Sequence, residues 1–592
     1  MTAAPAPGAA AEGPPKGRTP GGDRPRGGPL ARRRAWRHLP PEQRWARLLY
    51  LAKRNWFALP FYPSLLPVCG EPAPRATPPD PWPGRADQGL ALVGGLYRFA
   101  GQSLQAPTPP WLAPEATRAW LRELHSFAWL RDLRAAGSDA ARRHARELTQ
   151  DWLDRHGRWS EPAWEPLTLA RRLTHWLAQW DFLAASAEHD FRRAVLDSAA
   201  AQTAHLAHSL PAGLSGADLV CAVKGLAIGG ACLPGGERWL GKALDLLTRE
   251  LPRQILPDGG HVERSPSRHL AALRDLIDVK AMLHAAGREP PAELEAAIDA
   301  MAPMLRLFLH GDGGLALFNG SSAEEALKID LVLQRAGSRG RPRLSAPESG
   351  FQRLQAGRTL AIIDAGAPPP PGQDGLAHAG TLSFELSVGR ERLIVNCGTP
   401  GAEGGPAAWI AALRRTAAHS TLELDGRSSS EALSAGLWSG PGLATRPHSV
   451  SCRREAVEGA TLLEMTHDGY RDSLRTLHRR RLYLAAAGDD LRGEDHIERS
   501  DGAVPAAFTL RFHLHPEVQA SLVQTGDAAL LRLPRGGGWR FRCSGGTLAI
   551  EDSVYWGEER SRRSRQLVVC GTAGPGTSLI KWALRRESGK RD

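Results

Sequence analysis

The segment "HVERSPSRH", residues 261 to 269, sets an arginine and a histidine where a helix should begin. Ser265 suits an N-cap and Pro266 the first helical position, and Leu270, Leu273 and Ile277 supply the buried face that follows. Arg268 and His269 then fall in the first turn, where free N–H groups and the positive end of the helix favour an anion. A guanidinium there is suited to clamping a carboxylate through two parallel donors, and Glu263 stands close enough to orient either residue. An ordinary helix start with a weak surface ion pair fits the same residues equally well.

Other candidates lie further on. In "DGLAHAGTLSFELSVGRERLIVNCG", residues 374 to 398, the alternation of Leu382, Phe384, Leu386 and then Leu393, Val395 around a Gly-Arg turn predicts a hairpin. One face is expected to be buried and the other wet, which leaves His378 at the lip as a polar residue outside the strand pattern. His513 and His515 alternate in "RFHLHPE" and so share a strand face, as a metal pair or, the favoured reading, as a solvent-facing stripe. His467 in "THDGYRD" reads as a turn residue. His310 and Asp312 sit in the Gly-rich turn "HGDGGLALFNG", with Asn319 available to a cleft.

The elements that must position these residues change character once along the chain. From about Pro40 to Ala336 the apolar spacing is helical. In "TRAWLRELHSFAWLRDLRAA", Trp120, Leu124, Phe127, Leu130 and Leu133 fall at steps of three and four and form one stripe. Similar segments follow, broken by "LPAGLSG" and "LPGG", which favours stacked helical hairpins in a solenoid or a ring. After "GSRGRPRLSAPESG" the period becomes two, with short strands between Gly/Asp turns, as in an antiparallel β-sandwich. The division expected is a basic Pro/Gly-rich tail at 1–38, an all-α domain at 39–336, a linker at 337–350, a β-sandwich at 351–580 and a basic tail at 581–592.

Composition agrees with a multidomain globular protein: 592 residues are too many for a single core, and 42% are hydrophobic. The 18 tryptophans, mostly in the first half, suit a bulky helical core better than a sugar-stacking platform. A net charge of +12 suits an anionic partner, whether nucleic acid, an acidic lipid surface or an acidic polysaccharide. Seven cysteines without CxxC spacing argue against a disulfide framework and a cysteine-zinc site, although a single bridge stays open. No apolar run is long enough to span a bilayer, and the N-terminal stretch lacks the apolar core of a secretory signal.

Six segments in order, "HSFAWLRDL", "RQILPDGGHVERSPSRH", "HGDGGLALFNG", "AHAGTLSFELSVGRERLIVNCGTP", "RRTAAHSTLELDG" and "HRRRLYLAAAGDDLRGED", resemble the heparinase II/III family of polysaccharide lyases. The resemblance implies an α/α toroid followed by antiparallel β-sheets, and β-elimination at a uronic acid within an acidic glycan. That reaction needs a neutralised carboxylate, a base for the C5 proton and an acid for the leaving oxygen. The family's Asn-His pair falls at Ala217 and Asp218, its tyrosine at Arg268 and its catalytic histidine at Leu376.

The roles implied here are therefore catalytic for Arg268, His269, Glu263 and Tyr470, the last as the best phenol of the β-domain. Asp218, Asn319 and Arg415 are expected to contact substrate. His378, Asn396 and His419 are expected to hold one structural, zinc-like divalent metal, and no organic cofactor is implied. The expected partner is an acidic polysaccharide rather than nucleic acid. A catalytically degenerate protein that binds an anionic glycan on the same scaffold is the alternative. The resemblance places the protein in the cell envelope or periplasm; the lack of a visible export signal makes the cytoplasm the other expectation.

Overall fold

The computed structural model of the chain describes residues 38–400, 405–433, 441–558 and 560–587; of the N-terminal tail only residue 38 is described, and the C-terminal tail expected from 581 starts later, because 581–586 complete the strand Gly576–Arg586. Thirteen α-helices precede residue 336 among the described residues. The predicted stripe is completely buried, but it runs over two helices, Arg118–Ser126 and Leu130–Ala136. Between them Phe127 adopts a left-handed conformation, φ 59°. Its ring is set among those of Trp111, Trp129, Trp152 and Trp176, so packing overrides the continuous helix that the spacing predicts. Trp120, Trp129, Trp152, Trp164 and Trp176 are all fully buried, and the clustered indoles are core.

The helix Gly216–Cys232 is buried on nearly every side and packs against Pro166–Ala178, Glu237–Gln254 and Pro266–Ala285. A helix that is apolar all round belongs inside a domain. Its one lysine, Lys224, is balanced by Asp275 and Asp278 at 2.5 and 3.0 Å. A Cβ on Gly225 would stand 2.6 Å from Cα of Ala170, so glycine is what lets these two helices touch.

Two antiparallel sheets follow. One runs in the order Thr547–Tyr555, Arg562–Ala573, Ala506–Leu514, Glu391–Val395, Phe384–Val388, Thr359–Asp364, Phe351–Ala356 and Ser345–Ala346, with Leu422–Leu424 paired beside Ala506–Leu514. The other runs Val450–Val457, Ala460–Tyr470, Thr476–Leu484, Asp490–Arg499, Gly576–Arg586, Gly538–Ser544, Ala528–Arg532 and Gln519–Leu522. Their inner faces meet through Phe384 and Phe512 on one side and Phe541 and Trp582 on the other, with Phe384 stacked on Trp582 at 5.5 Å.

The predicted hairpin forms as Phe384–Val388 and Glu391–Val395, but it has no wet face: all five residues of its first strand are buried. The outer face is covered by the helical domain. His310 hydrogen-bonds Ser387 Oγ and Glu385 Oε2, each at 2.9 Å, and the Leu317 amide donates to Glu385 Oε1 at 3.1 Å. Phe351 packs on Phe308 and Phe318, and Leu360 and Ile362 join the same core as the helices. Arg264 of the helical domain donates to Asp364 and to the carbonyls of Ser349 and Ala367, so the two domains share apolar and polar contacts.

Three histidine expectations are corrected by this packing. His467 lies inside the strand Ala460–Tyr470, not in a turn, and is buried against His478 at 3.1 Å. His513 is not on a solvent-facing stripe: it is buried between Ser553 Oγ at 2.8 Å and the Ala417 carbonyl at 3.0 Å. His515 is largely covered by Tyr555, with the ring centroids 5.0 Å apart.

Candidate functional site

The helix that opens at Pro266 has Ser265 at its N-cap position, but the Ser265 side chain does not cap it. The cap comes instead from Ser321, whose hydroxyl accepts from the Ser267 amide at 3.1 Å and contacts Ser265 Oγ at 3.0 Å. Leu270, Leu273 and Ile277 are buried as the spacing predicts. Arg268 therefore projects from the first turn toward the mouth of the helix Gly216–Cys232.

There it is already engaged. Arg268 Nε donates to Glu263 Oε2 at 3.0 Å, and Nη2 lies 2.7 Å from Asp218 Oδ1. The same Glu263 oxygen accepts from the Ala217 amide at 3.2 Å. Burial alone would lower the Arg268 pKa, but the two carboxylates outweigh it and hold the guanidinium firmly charged. Burial raises the Glu263 carboxyl above its usual 4.5, with Arg268 opposing the rise and Asp218 adding to it. Two carboxylates facing one guanidinium leave this mouth neutral or negative. A uronate would meet repulsion instead of a free cation, so the clamp expected of Arg268 and the substrate contact expected of Asp218 are replaced by an internal ion-pair knot.

The expected proton-transfer groups do not reach this mouth. His269, in the turn after Arg268, points into the helical core: Nε2 meets the Met301 carbonyl at 2.9 Å and the ring packs edge-on against Phe308. Burial pushes its pKa down to about 3. Tyr470 is fully buried inside the sandwich and donates its hydroxyl to the Leu422 carbonyl at 2.8 Å. Burial also drives its pKa well above the ordinary phenol range, the opposite of what a base needs. Asn319, with a left-handed φ of 46°, is buried too. Its Nδ2 donates to the Arg264 carbonyl and its Oδ1 accepts from the His378 amide at 3.1 Å, so it pins the helical domain to the sandwich and does not line a cleft.

His378 and His419 do come together, Nδ1 to Nε2 at 3.1 Å. His419 Nδ1 faces the Arg415 carbonyl at 2.9 Å and so carries its proton there, which makes Nε2 an acceptor for His378 Nδ1–H. Burial keeps both rings neutral. The third expected ligand, Asn396, has its amide oxygen committed to the Ser420 amide at 3.1 Å and turns an unpartnered Nδ2 inward. A donor group facing inward, and two imidazoles bonded to each other, do not fit a divalent ion that needs three or four lone pairs. No cluster of three or more His, Cys, Asp or Glu suited to a metal occurs among the described residues.

Arg415 stays exposed. It donates to the Gly426 carbonyl at 2.8 Å and lines a surface pocket of about 300 Å³ with Arg414, Arg427 and Ser430. Nothing in the strand or helix periodicity marks Arg427 or Ser430, because loop residues carry no repeat. His261, buried 3.5 Å from Glu263, opens the segment that holds Arg268, but no spacing assigns it a role.

A helical domain closed against two antiparallel sheets, with a charged mouth between them, defines the polysaccharide-lyase architecture. Residues 114–332 match the family described as Heparinase II/III N-terminus, and residues 338–583 match Heparinase II/III-like, C-terminal. The structure is similar to that of heparinase III, with a TM-score of 0.68 and 14% identity over 83% of this chain and 81% of that one. It is also similar to the heparan sulfate lyase HepC of Pedobacter heparinus, with a TM-score of 0.59 and 15% identity over 86% and 83%. In sequence the chain is 32% identical over 553 residues to FtsZ-localized protein C of Caulobacter vibrioides, covering 91% of this chain and 94% of the relative. The chain belongs to the heparinase II/III-like family. No described helix is long and apolar enough to cross a membrane.

Proposed function

We propose that this protein holds an acidic glycan without cleaving it, and that it localises with FtsZ, a localisation that the name of its Caulobacter relative gives for that protein. The observation that carries the first half is the knot of Arg268 with Glu263 and Asp218, at 3.0 and 2.7 Å. It occupies the place where the family resemblance puts carboxylate neutralisation and the base. With Leu376 at the histidine position, and His269 and Tyr470 turned into separate cores, none of the groups expected to move a proton is free at the mouth among the described residues. Each missing acid or base removes about two to four orders of magnitude in rate. A zinc ion forms no part of this reading.

The test of silence is an ultraviolet assay. Purified protein incubated with heparan sulfate, chondroitin sulfate and alginate is expected to give no absorbance from an unsaturated uronate product, while heparan sulfate is retained on a binding column. Product formed by the wild-type chain, and lost in Arg268→Ala, would overturn the reading and restore the lyase. The second half is tested in cells: a fluorescent fusion is expected to follow FtsZ to its sites, and a diffuse signal that ignores FtsZ would refute it.

A further inference from the structure

The pocket beside Arg415 is lined, among the described residues, by positions between 411 and 432, none of them part of the Arg268 knot. Its polar lining is Arg414, Arg415, Arg427, Ser428, Ser430 and Glu431. At about 300 Å³ it sits at the small end of ligand pockets, roughly 300–1,000 Å³. Three features make it a built site for an anion. Arg427 is exposed, with no side-chain partner among the described residues. Arg414 donates to the neutral carbonyls of Ala377 and Gly442, and Asp374, the carboxylate whose charge acts on it, is itself paired with Arg446. Ser430 is only 3% exposed, yet its hydroxyl has no hydrogen-bond partner among the described residues. A buried orphan hydroxyl costs free energy unless a ligand or water completes it.

Opposing charge is slight. Glu431 is exposed at the rim, and Glu423 lies 3.9 Å from Arg415 but 3.1 Å from Arg511, which it serves more closely. The pocket is thus net positive, in contrast to the neutral or negative mouth around Arg268. Ser428 is already used, its hydroxyl accepting from the Thr416 amide at 3.2 Å. Donors left over on several walls suit a group with three terminal oxygens better than a planar carboxylate with two.

The geometry points to this pocket as the seat of a sulfate or phosphate ester on the bound glycan. The inference rests on the glycan-binding reading and supplies its specificity: the charge recognised is the ester oxyanion, on the sandwich, and not the uronate at the former lyase mouth.

The test titrates the full chain calorimetrically with a sulfated heparan oligosaccharide, its desulfated counterpart, glucose 6-phosphate and inorganic sulfate. The sulfated oligosaccharide is expected to bind at least about tenfold more tightly than the desulfated one, and Arg415→Gln with Arg427→Gln is expected to erase that difference. Ser430→Ala should lower affinity by a smaller factor with the fold unchanged. Tighter binding of glucose 6-phosphate than of the sulfated oligosaccharide would assign the pocket to phosphate esters and refute the sulfated source. Equal affinity for inorganic sulfate and the sulfated oligosaccharide would show a free-anion site and overturn the glycan assignment. Unchanged oligosaccharide affinity in the double variant would overturn the pocket alone, whereas unsaturated product in the ultraviolet assay would overturn the non-catalytic reading alone.

Discussion

Arg268→Met should destabilise the protein by about 2–3 kcal/mol at pH 8 and by clearly less at pH 5, because it leaves a mostly buried carboxylate without its cation. Glu263 and Asp218 both lean on Arg268, and the Glu263 side chain is only 12% exposed. Burial raises the Glu263 pKa above its ordinary 4.5, with Arg268 as the main opposing influence. A carboxyl whose folded pKa is raised contributes most below 4.5, and that contribution is lost as pH rises through the folded value. Removing Arg268 lifts the folded value further, so the loss grows and extends to higher pH. Urea unfolding midpoints at pH 5 and pH 8 measure it, and Glu263→Gln added to Arg268→Met should recover most of the deficit at pH 8. An equal cost at both pH values, or none, would show that Arg268 is a free surface cation and reopen its role as a carboxylate clamp.

The fold was legible because it rests on periodicity. Trp120 and Leu124, and likewise Leu270 and Leu273, repeat at helical steps, Phe384 and Leu386 at strand steps, and both patterns survive as buried faces. The site was less legible because its residues act through partners far off in the chain. Arg268 and Asp218 are 50 positions apart, and nothing in "SGADLV" says that its aspartate reaches an arginine in the helix at Pro266. The identity of His269 suggested chemistry, but its place on the helix turns it toward Met301. The hairpin's second face looked wet for a similar reason. Glu385 and Ser387 are polar, and only the helical domain's loop, through His310, explains why polar residues there are buried.

The same lesson applies to the sandwich interior, where the largest stability effect is expected. Asp495 has no exposed side-chain surface, and it accepts from His478 Nε2 and Arg480 Nε at 2.7 Å and from the Trp582 indole at 2.9 Å. Arg480 in turn donates to the carbonyls of Leu382 and Ser420, which flank the segments carrying His378 and His419. Burial alone would raise the Asp495 pKa, but Arg480 and His478 outweigh it and hold the carboxyl well below its usual 3.8. Its stabilisation is therefore present above 3.8 and declines as pH falls below that value. Asp495→Asn keeps the shape but leaves a buried guanidinium uncompensated and, with its oxygen kept for His478 and Arg480, turns an amide N–H toward the Trp582 indole donor. The expected cost is about 3–5 kcal/mol near neutral pH, read from urea unfolding, with the gap from the wild type narrowing toward pH 2. Arg480→Met added to Asp495→Asn should return part of the loss, since it removes the orphaned charge. A neutral single substitution, or a double variant worse than the sum of its parts, would mean that Asp495 is not the anchor of this network. The segments bearing His378 and His419 would then owe their position to something other than Arg480.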